Sequence, residues 1–303
     1  TDINARNNSY AKVLLMFIET PLIFKTVVIL SIQLGLVLIT CFYYLKKARI
    51  AYENGTTLLG YKFRGSVNMK RKLDLIPYTE PKKNFPKPME KYIDNNTTLH
   101  KIAKNQDEVI ELLKEGYKHA YWGDGSIGLL FFGWAGLLFA TTFIVQFAGI
   151  NIWLQLIFFS LASLTFGPLL AFIMLEMDEN DGFTALKIVL VVTMLTGFIG
   201  YRDFISFSDS NIFGSMLLIS LLGLLSFNIV RFFKEFSRQT IRMAAIFGSI
   251  LFSLFLLYDF NLVKKKSMLA INNNWETAVE MAFILYLDVI NLLLEILEAM
   301  GNS

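Results

Sequence analysis

Cysteine is all but missing from this chain: Cys41 is the only one in 303 residues, and it sits inside an apolar run. A disulfide framework is excluded, and so is a cysteine metal site. Histidine is nearly as scarce. His100 and His119 are the only two, both in a polar stretch, so histidine-based zinc chemistry has no set of ligands. Charged residues make up 17% of the chain, against about 25% in a soluble globular domain. No nucleophile elbow, P-loop, HExxH or paired-cysteine pattern occurs, and enzyme chemistry has no residues to stand on. The expectation is a protein that is not an enzyme and carries no organic cofactor.

What the chain has instead is apolar length. It is 54% hydrophobic and 15% aromatic, with a mean hydropathy of +0.50. Runs near 20 residues, the length that crosses about 30 Å of hydrocarbon, cover residues 22–45, 126–147, 152–175, 183–200, 212–230, 243–263 and 278–300. They predict an all-α fold, a multi-pass membrane helical bundle of about seven spans. The fourth run is the weakest. The start at Thr1-Asp2 fits a precursor whose import or signal sequence has been removed, or a chain that simply starts late.

Residues 46–121 are polar, with sixteen Lys and Arg against nine Asp and Glu, a balance of +7. Four of the six prolines crowd into residues 76–89 (IPYTEPKKNFPKPM), which must be extended or irregular there. Thr97 or Thr98 reads as the N-cap of an amphipathic helix running to about Tyr121, with Leu99, Ile102, Ile110 and Leu113 among its apolar positions. Seven spans put 46–121 on the same side as Arg231, Lys234, Arg238 and Arg242. By the positive-inside rule that side is the cytoplasm, or the matrix in a mitochondrion.

Two domains follow: 1–121, an extension with one membrane helix, a basic Pro-rich loop and an amphipathic helix, and 122–303, the bundle. A span set apart by so long a loop reads as a docking module, with its loop making few contacts to the bundle. Lys25 is expected to snorkel, leaving Gln33 as the strongly polar side chain toward mid-span. The basic loop faces lipid headgroups, anionic ones in particular, or an acidic protein surface. Nucleic acid is not expected as a partner.

Gly123-Asp124-Gly125-Ser126-Ile127-Gly128 matches G-x-G-x-x-G, but it opens a membrane helix and follows no strand. It reads as a turn and not as a dinucleotide site. Gly133, Gly136, Ala162, Ser163 and Gly167 suit close helix packing.

Asp259 and Asp288 stand apart. They lie within residues 252–262 (FSLFLLYDFNL) and 281–294 (MAFILYLDVINLLL), on consecutive spans. An acid at bilayer depth is costly and usually faces a bundle interior, a cavity or a partner. If the two meet, they share a proton. When both ionise they form a hard-oxygen site of the kind that suits Ca²⁺. Asp259 and Asp288 are the candidate proton-sensing and ion-binding residues.

At these residues the chain resembles the Bax-inhibitor (transmembrane Bax inhibitor motif) family. Leu257-Tyr258-Asp259 looks like the start of the family's Tyr-Asp-Thr-Gln motif, and Leu285-Tyr286-Leu287-Asp288-Val289-Ile290-Asn291 like its last-helix LYLDxxN motif. Residues 252–266 (FSLFLLYDFNLVKKK), 125–129 (GSIGL) and Gly167-Pro168-Leu169-Leu170 are similar to runs in the family's mitochondrial members, in the same order. The resemblance covers roughly 117–303. It implies a Bax-inhibitor-like C-terminal two-thirds in the mitochondrial inner membrane, with Asp259 and Asp288 as a pH-sensitive Ca²⁺ leak or Ca²⁺/H⁺ exchange site.

There are two departures. Phe260-Asn261 stands where the family has Thr-Gln, and between GSIGL and FGPLL there is room for only two spans, with no Arg or Lys from 126 to 175. In the family, an early-helix arginine can latch the aspartates. The alternative reading is therefore a non-transporting accessory subunit of a large inner-membrane assembly, such as a respiratory-chain complex.

Overall fold

In hydrocarbon a backbone has to satisfy its own hydrogen bonds, so each long apolar run is driven to helix. The computed structural model describes residues 20–67, 73–78, 85–94, 97–119, 126–146, 151–177, 179–202, 207–231, 233–234 and 236–300. Seven of its helices are long and apolar enough to cross a membrane. They are α1 (Leu22–Glu53), α3 (Ser126–Gln146), α4 (Ile152–Met177), α5 (Glu179–Arg202), α6 (Asn211–Arg231), α7 (Arg238–Ser267) and α8 (Trp275–Met300). The fourth run, the weakest by sequence, becomes the full helix α5.

The extramembrane segment adds strands that the sequence reading missed. Strands β1 (Lys62–Val67) and β2 (Leu73–Tyr78) pair antiparallel, with Lys62 opposite Tyr78. Strands β3 (Lys87–Asp94), β4 (Thr97–Ala103) and β5 (Lys118–His119) form a second sheet in the order β4-β3-β5. The extended reading of the Pro-rich stretch is met where it is described, by β2 and β3. The long amphipathic helix is not.

Residues 97–103 are strand, and helix α2 spans only Gln106–Lys114. Its N-cap is Asn105, whose side chain accepts from the Glu108 amide at 2.9 Å. An Asn three residues before a Glu competes better for the helix start than the β-branched Thr97-Thr98 pair, which suits a strand. The apolar positions assigned to that helix are also reversed. Leu99, Ile102, Ile110 and Leu113 are exposed, whereas Val109 and Leu112 join Met89, Ala103 and Tyr117 in a small core.

The docking-module expectation fails as well. Helix α1 packs along α4 and α8 and touches α7. Its buried residues Leu22, Thr26, Ile29, Gln33, Val37, Cys41, Leu45 and Ala48 recur every three or four positions, one stripe of a helix. In lipid that stripe gains little from hydrophobic transfer, so close contact and interhelical hydrogen bonds have to hold it. Both are present. Gln33 donates to the Ser160 hydroxyl at 3.1 Å and accepts from Ser163 at 2.9 Å.

Gly167 lets the backbones approach: a Cβ there would overlap the Thr40 hydroxyl and come within 2.7 Å of the Val37 carbonyl. Lys25 does not snorkel. It is 1% exposed and donates to the Asn273 carbonyl at 2.9 Å, between α7 and α8. The loop also reaches the bundle, since Tyr61 and Phe63 pack on Phe172 of α4 with centroids 5.4 and 6.3 Å apart.

Of the small residues expected at helix contacts, Ala162, Ser163 and Gly167 are buried. Gly133 and Gly136 are not in close contact, with nothing within 4 Å of a Cβ built at either. Gly123, Asp124 and Gly125 of the glycine string lie outside the described residues, and Ser126 opens α3.

The Lys25–Asn273 bond puts the start of α1 beside the α7–α8 turn. The far end of α1, the α4–α5 connection and Arg231 therefore share the opposite face, in keeping with the charge reading. Gly167→Ala is expected to lower the stability of the detergent-solubilised protein by about 1–3 kcal/mol. Gly167→Ala with Thr40→Ala should recover only part of that, because the Val37 carbonyl remains. Thermal unfolding checks both, and an unchanged midpoint for Gly167→Ala would show that α1 is not docked there.

Candidate functional site

The last two helices form a hairpin, and three contacts fix its register. From the turn inward, Lys266 of α7 bonds Glu280 of α8 at 3.0 Å. Asp259 then meets Asp288. Finally Gly248 lies against the Glu295 carboxyl, where an added Cβ would come within 2.5 Å of it. At 1.5 Å per residue, Asp288 is about 20 Å from either end of α8, near mid-span.

The aspartates that the sequence singled out are thus brought together. Each is 7% exposed. Their carboxyl groups are hydrogen-bonded to one another, and Asp288 Oδ2 is buried with no hydrogen-bond partner. A carboxylate only accepts, so a carboxyl–carboxyl hydrogen bond needs one O–H. Apolar residues within a turn of each aspartate are buried: Leu256, Phe260 and Val263 on α7, and Leu285 and Val289 on α8. The cation that acts on Asp259 is Lys266, two turns along its own helix.

The turn of α7 carrying Asp259 is held by Asn261, one of the two residues that depart from the family motif. Asn261 is fully buried. It donates to the Gly200 carbonyl at 3.1 Å and accepts from the Ser208 amide at 3.0 Å and from the Ser208 hydroxyl. Its amide ties α7 to the end of α5 and to the short 3₁₀ turn Phe207–Asp209. Gly200 permits the approach, since a Cβ there would lie 2.6 Å from the Leu257 carbonyl.

A second polar cluster lies on another side of α8. Tyr286 is fully buried beside Ser163, with its hydroxyl lacking a well-formed hydrogen bond, and its ring packs edge-on against Phe159 at 5.0 Å. Sequence reasoning missed this cluster. Its one legible signal was a polar Gln33 in an otherwise apolar span.

As a metal centre the pair is lean. Ca²⁺ takes about six to eight oxygen ligands, and no group of three or more His, Cys, Asp or Glu that would hold a metal occurs among the described residues. Two carboxyls suit a cation in passage better than a resident one.

Fold and site together define a multi-pass membrane protein with a carboxyl pair buried between its last two helices. The family model described as "Inhibitor of apoptosis-promoting Bax1" matches residues 114–303, and the chain belongs to this Bax-inhibitor family. An uncharacterized protein of Campylobacter jejuni is 28% identical over 167 residues, covering 55% of this chain and 68% of its own. Helix α1 lies outside the family match, although it fills part of the same bundle.

Asn261→Ala removes three hydrogen bonds from a buried site and leaves the Gly200 carbonyl and Ser208 amide without that partner. It should cost about 1–3 kcal/mol and speed amide exchange in residues 207–209. Hydrogen–deuterium exchange reads this directly, and unchanged protection at Ser208 would contradict the anchoring role.

Proposed function

We propose that this protein passes cations across its membrane in exchange for protons, with Asp259 and Asp288 as the exchange site and Ca²⁺ as the preferred cargo. The observation that supports it is the hydrogen-bonded carboxyl pair, buried between two helices with one oxygen unpartnered. With one shared proton the pair carries a single negative charge and a bond across the helix interface. Losing that proton sets two like charges face to face. At about 4 Å and an effective dielectric of about 20 they repel by roughly 4 kcal/mol. That is on the order of a thousandfold in an equilibrium, enough to part the helices or draw in a cation. A proton on the pair closes the site, and a divalent cation replaces it.

The accessory-subunit alternative drew on the N-terminal extension with its own span and on the short segment without Arg or Lys between GSIGL and FGPLL; of these, the span is buried against α4 and α8 of its own chain and is not free for a partner. We therefore favour the exchange reading. Its location in the mitochondrial inner membrane rests on the likeness of residues 252–266 to the family's mitochondrial members, and membrane fractionation tests it.

The activity is tested with purified protein in liposomes holding a Ca²⁺ indicator, at external pH values from 6 to 8. Asp259→Asn and Asp288→Asn should each leave thermal stability close to that of the parent, because they remove a buried charge rather than a cavity-filling group. Each should also cut Ca²⁺ flux about tenfold or more, or abolish its pH dependence. Parent-like flux with a parent-like pH response in both variants would sink the reading.

A further inference from the structure

Glu295 lies inside the apolar stretch of α8, seven residues beyond Asp288. Seven residues are two turns, so the two side chains project from the same face about 10 Å apart. Asn291 lies between them on that face. Glu295 is half-buried, and its carboxyl rests in the notch that Gly248 leaves on α7. A carboxyl inside a helix pair is costly unless it serves a purpose there. Among the described residues Glu295 makes no ion pair of its own. Arg231 of α6 is paired with Glu298 instead, and these two are the charges that act on Glu295. Facing it on α7 is a glycine.

Between Gly248 and Asp259, on the same face of α7, stand Phe252 and Phe255, with centroids 6.1 Å apart. The carboxylates of α8 therefore form an inner line. Glu280 lies toward the hairpin turn, Asp288 at mid-span and Glu295 beyond the two phenylalanines, with Glu298 and Arg231 at the opposite face.

We infer that Glu295 is the carboxyl through which the aspartate pair exchanges protons with the Arg231 face of the membrane. The inference rests on the exchange reading of Asp259 and Asp288. In the conformation described, Phe252 and Phe255 keep water from linking the two levels. When Phe255 turns aside, one or two waters bridge the gap. The O–H bond on the pair breaks, the proton moves along the waters, and a new O–H bond forms on the Glu295 carboxylate. Glu295 then releases it to water at the Arg231 face and returns to the carboxylate. The pair is left with two negative charges for the incoming cation. Charge balances at each step, and no reactant beyond water and the cation is needed.

The test uses the full-length protein in liposomes, with a pH dye and a Ca²⁺ indicator inside, and compares the parent with E295Q, E295D, G248A and D288N. Glu295→Gln keeps shape and removes the titrating group, and should slow Ca²⁺-driven proton movement about tenfold with little change in thermal midpoint. Glu295→Asp keeps a carboxyl and should restore at least half of the parent rate, which a merely structural role would not predict. Gly248→Ala, which displaces the Glu295 carboxyl, should slow transport in the same sense as E295Q.

If E295Q moves protons at the parent rate while D288N is inactive, the relay is wrong and the aspartate pair stands. An E295D as slow as E295Q overturns the relay in favour of packing. If D288N also matches the parent, the exchange reading fails and the relay falls with it.

Discussion

One contact carries this architecture: two carboxyl groups facing each other in the middle of a bilayer. Neither belongs there alone. A single ionised aspartate at mid-span costs several kcal/mol even after water defects and local thinning. Facing another carboxyl, it has a partner as long as one proton stays between them. The hairpin is arranged to keep that geometry. Its turn is clamped by Lys266–Glu280 and by Lys25 on Asn273, and the Asp259 turn is pinned to α5 by Asn261 and Gly200. Removing the proton turns this polar contact of the interface into a repulsion.

Helix α1 joins the bundle although it lies outside the family match. Only two spans fit between the GSIGL and FGPLL runs, and residues 126–175 carry no Arg or Lys. Helix α1 lies along α4 and α8, and it brings a cation, Lys25. That cation ends on Asn273 beside the Trp275 ring and not at the aspartates. An ammonium buried at the hairpin turn stiffens the end of the α7–α8 pair without neutralising its centre. The carboxyls are therefore left to balance each other, with Lys266 acting from two turns away.

The seven spans were legible because a membrane imposes a length and a composition that no folding detail disguises. The aspartates were legible for the same reason, as violations of that composition. Their meeting became plain only with the register of the hairpin. The place of α1 was hidden, because its evidence is pairwise. Gly167 against Thr40 and Gln33 against Ser160 and Ser163 join segments more than a hundred residues apart, and each looks ordinary in its own run. Glycine alone proved a poor guide: Gly167 is packed against α1, whereas a Cβ added at Gly133 or Gly136 would meet no neighbouring side chain or helix within 4 Å among the described residues. The strand at 97–103 was misread because its apolar residues fit a helical spacing, while the deciding signal lay at Asn105 and Glu108. Local capping chemistry outweighed the pattern.

The distribution of polar groups explains why any exchange would run through α7 and α8 rather than elsewhere in the bundle. Helices α3 and α6 are largely turned outward, with Leu129, Phe132, Ile212 and Ile219 exposed to what would be lipid. Thr141, Thr142 and Ser226 donate their hydroxyls to their own backbones, at Leu137, Leu138 and Leu222. A hydroxyl used this way has spent its donor proton, and it does not titrate as a carboxyl does. In the polar cluster beside Tyr286, Gln33, Ser160 and Ser163 bond one another and carry no charge. On α8, in contrast, Glu280, Asp288, Glu295 and Glu298 recur along the helix through the thickness of the bundle. Only Glu280 and Glu298 are neutralised by a cation close by. The two interior members, Asp288 and Glu295, have no cation bonded to them among the described residues, and Arg231 reaches Glu295 only through space.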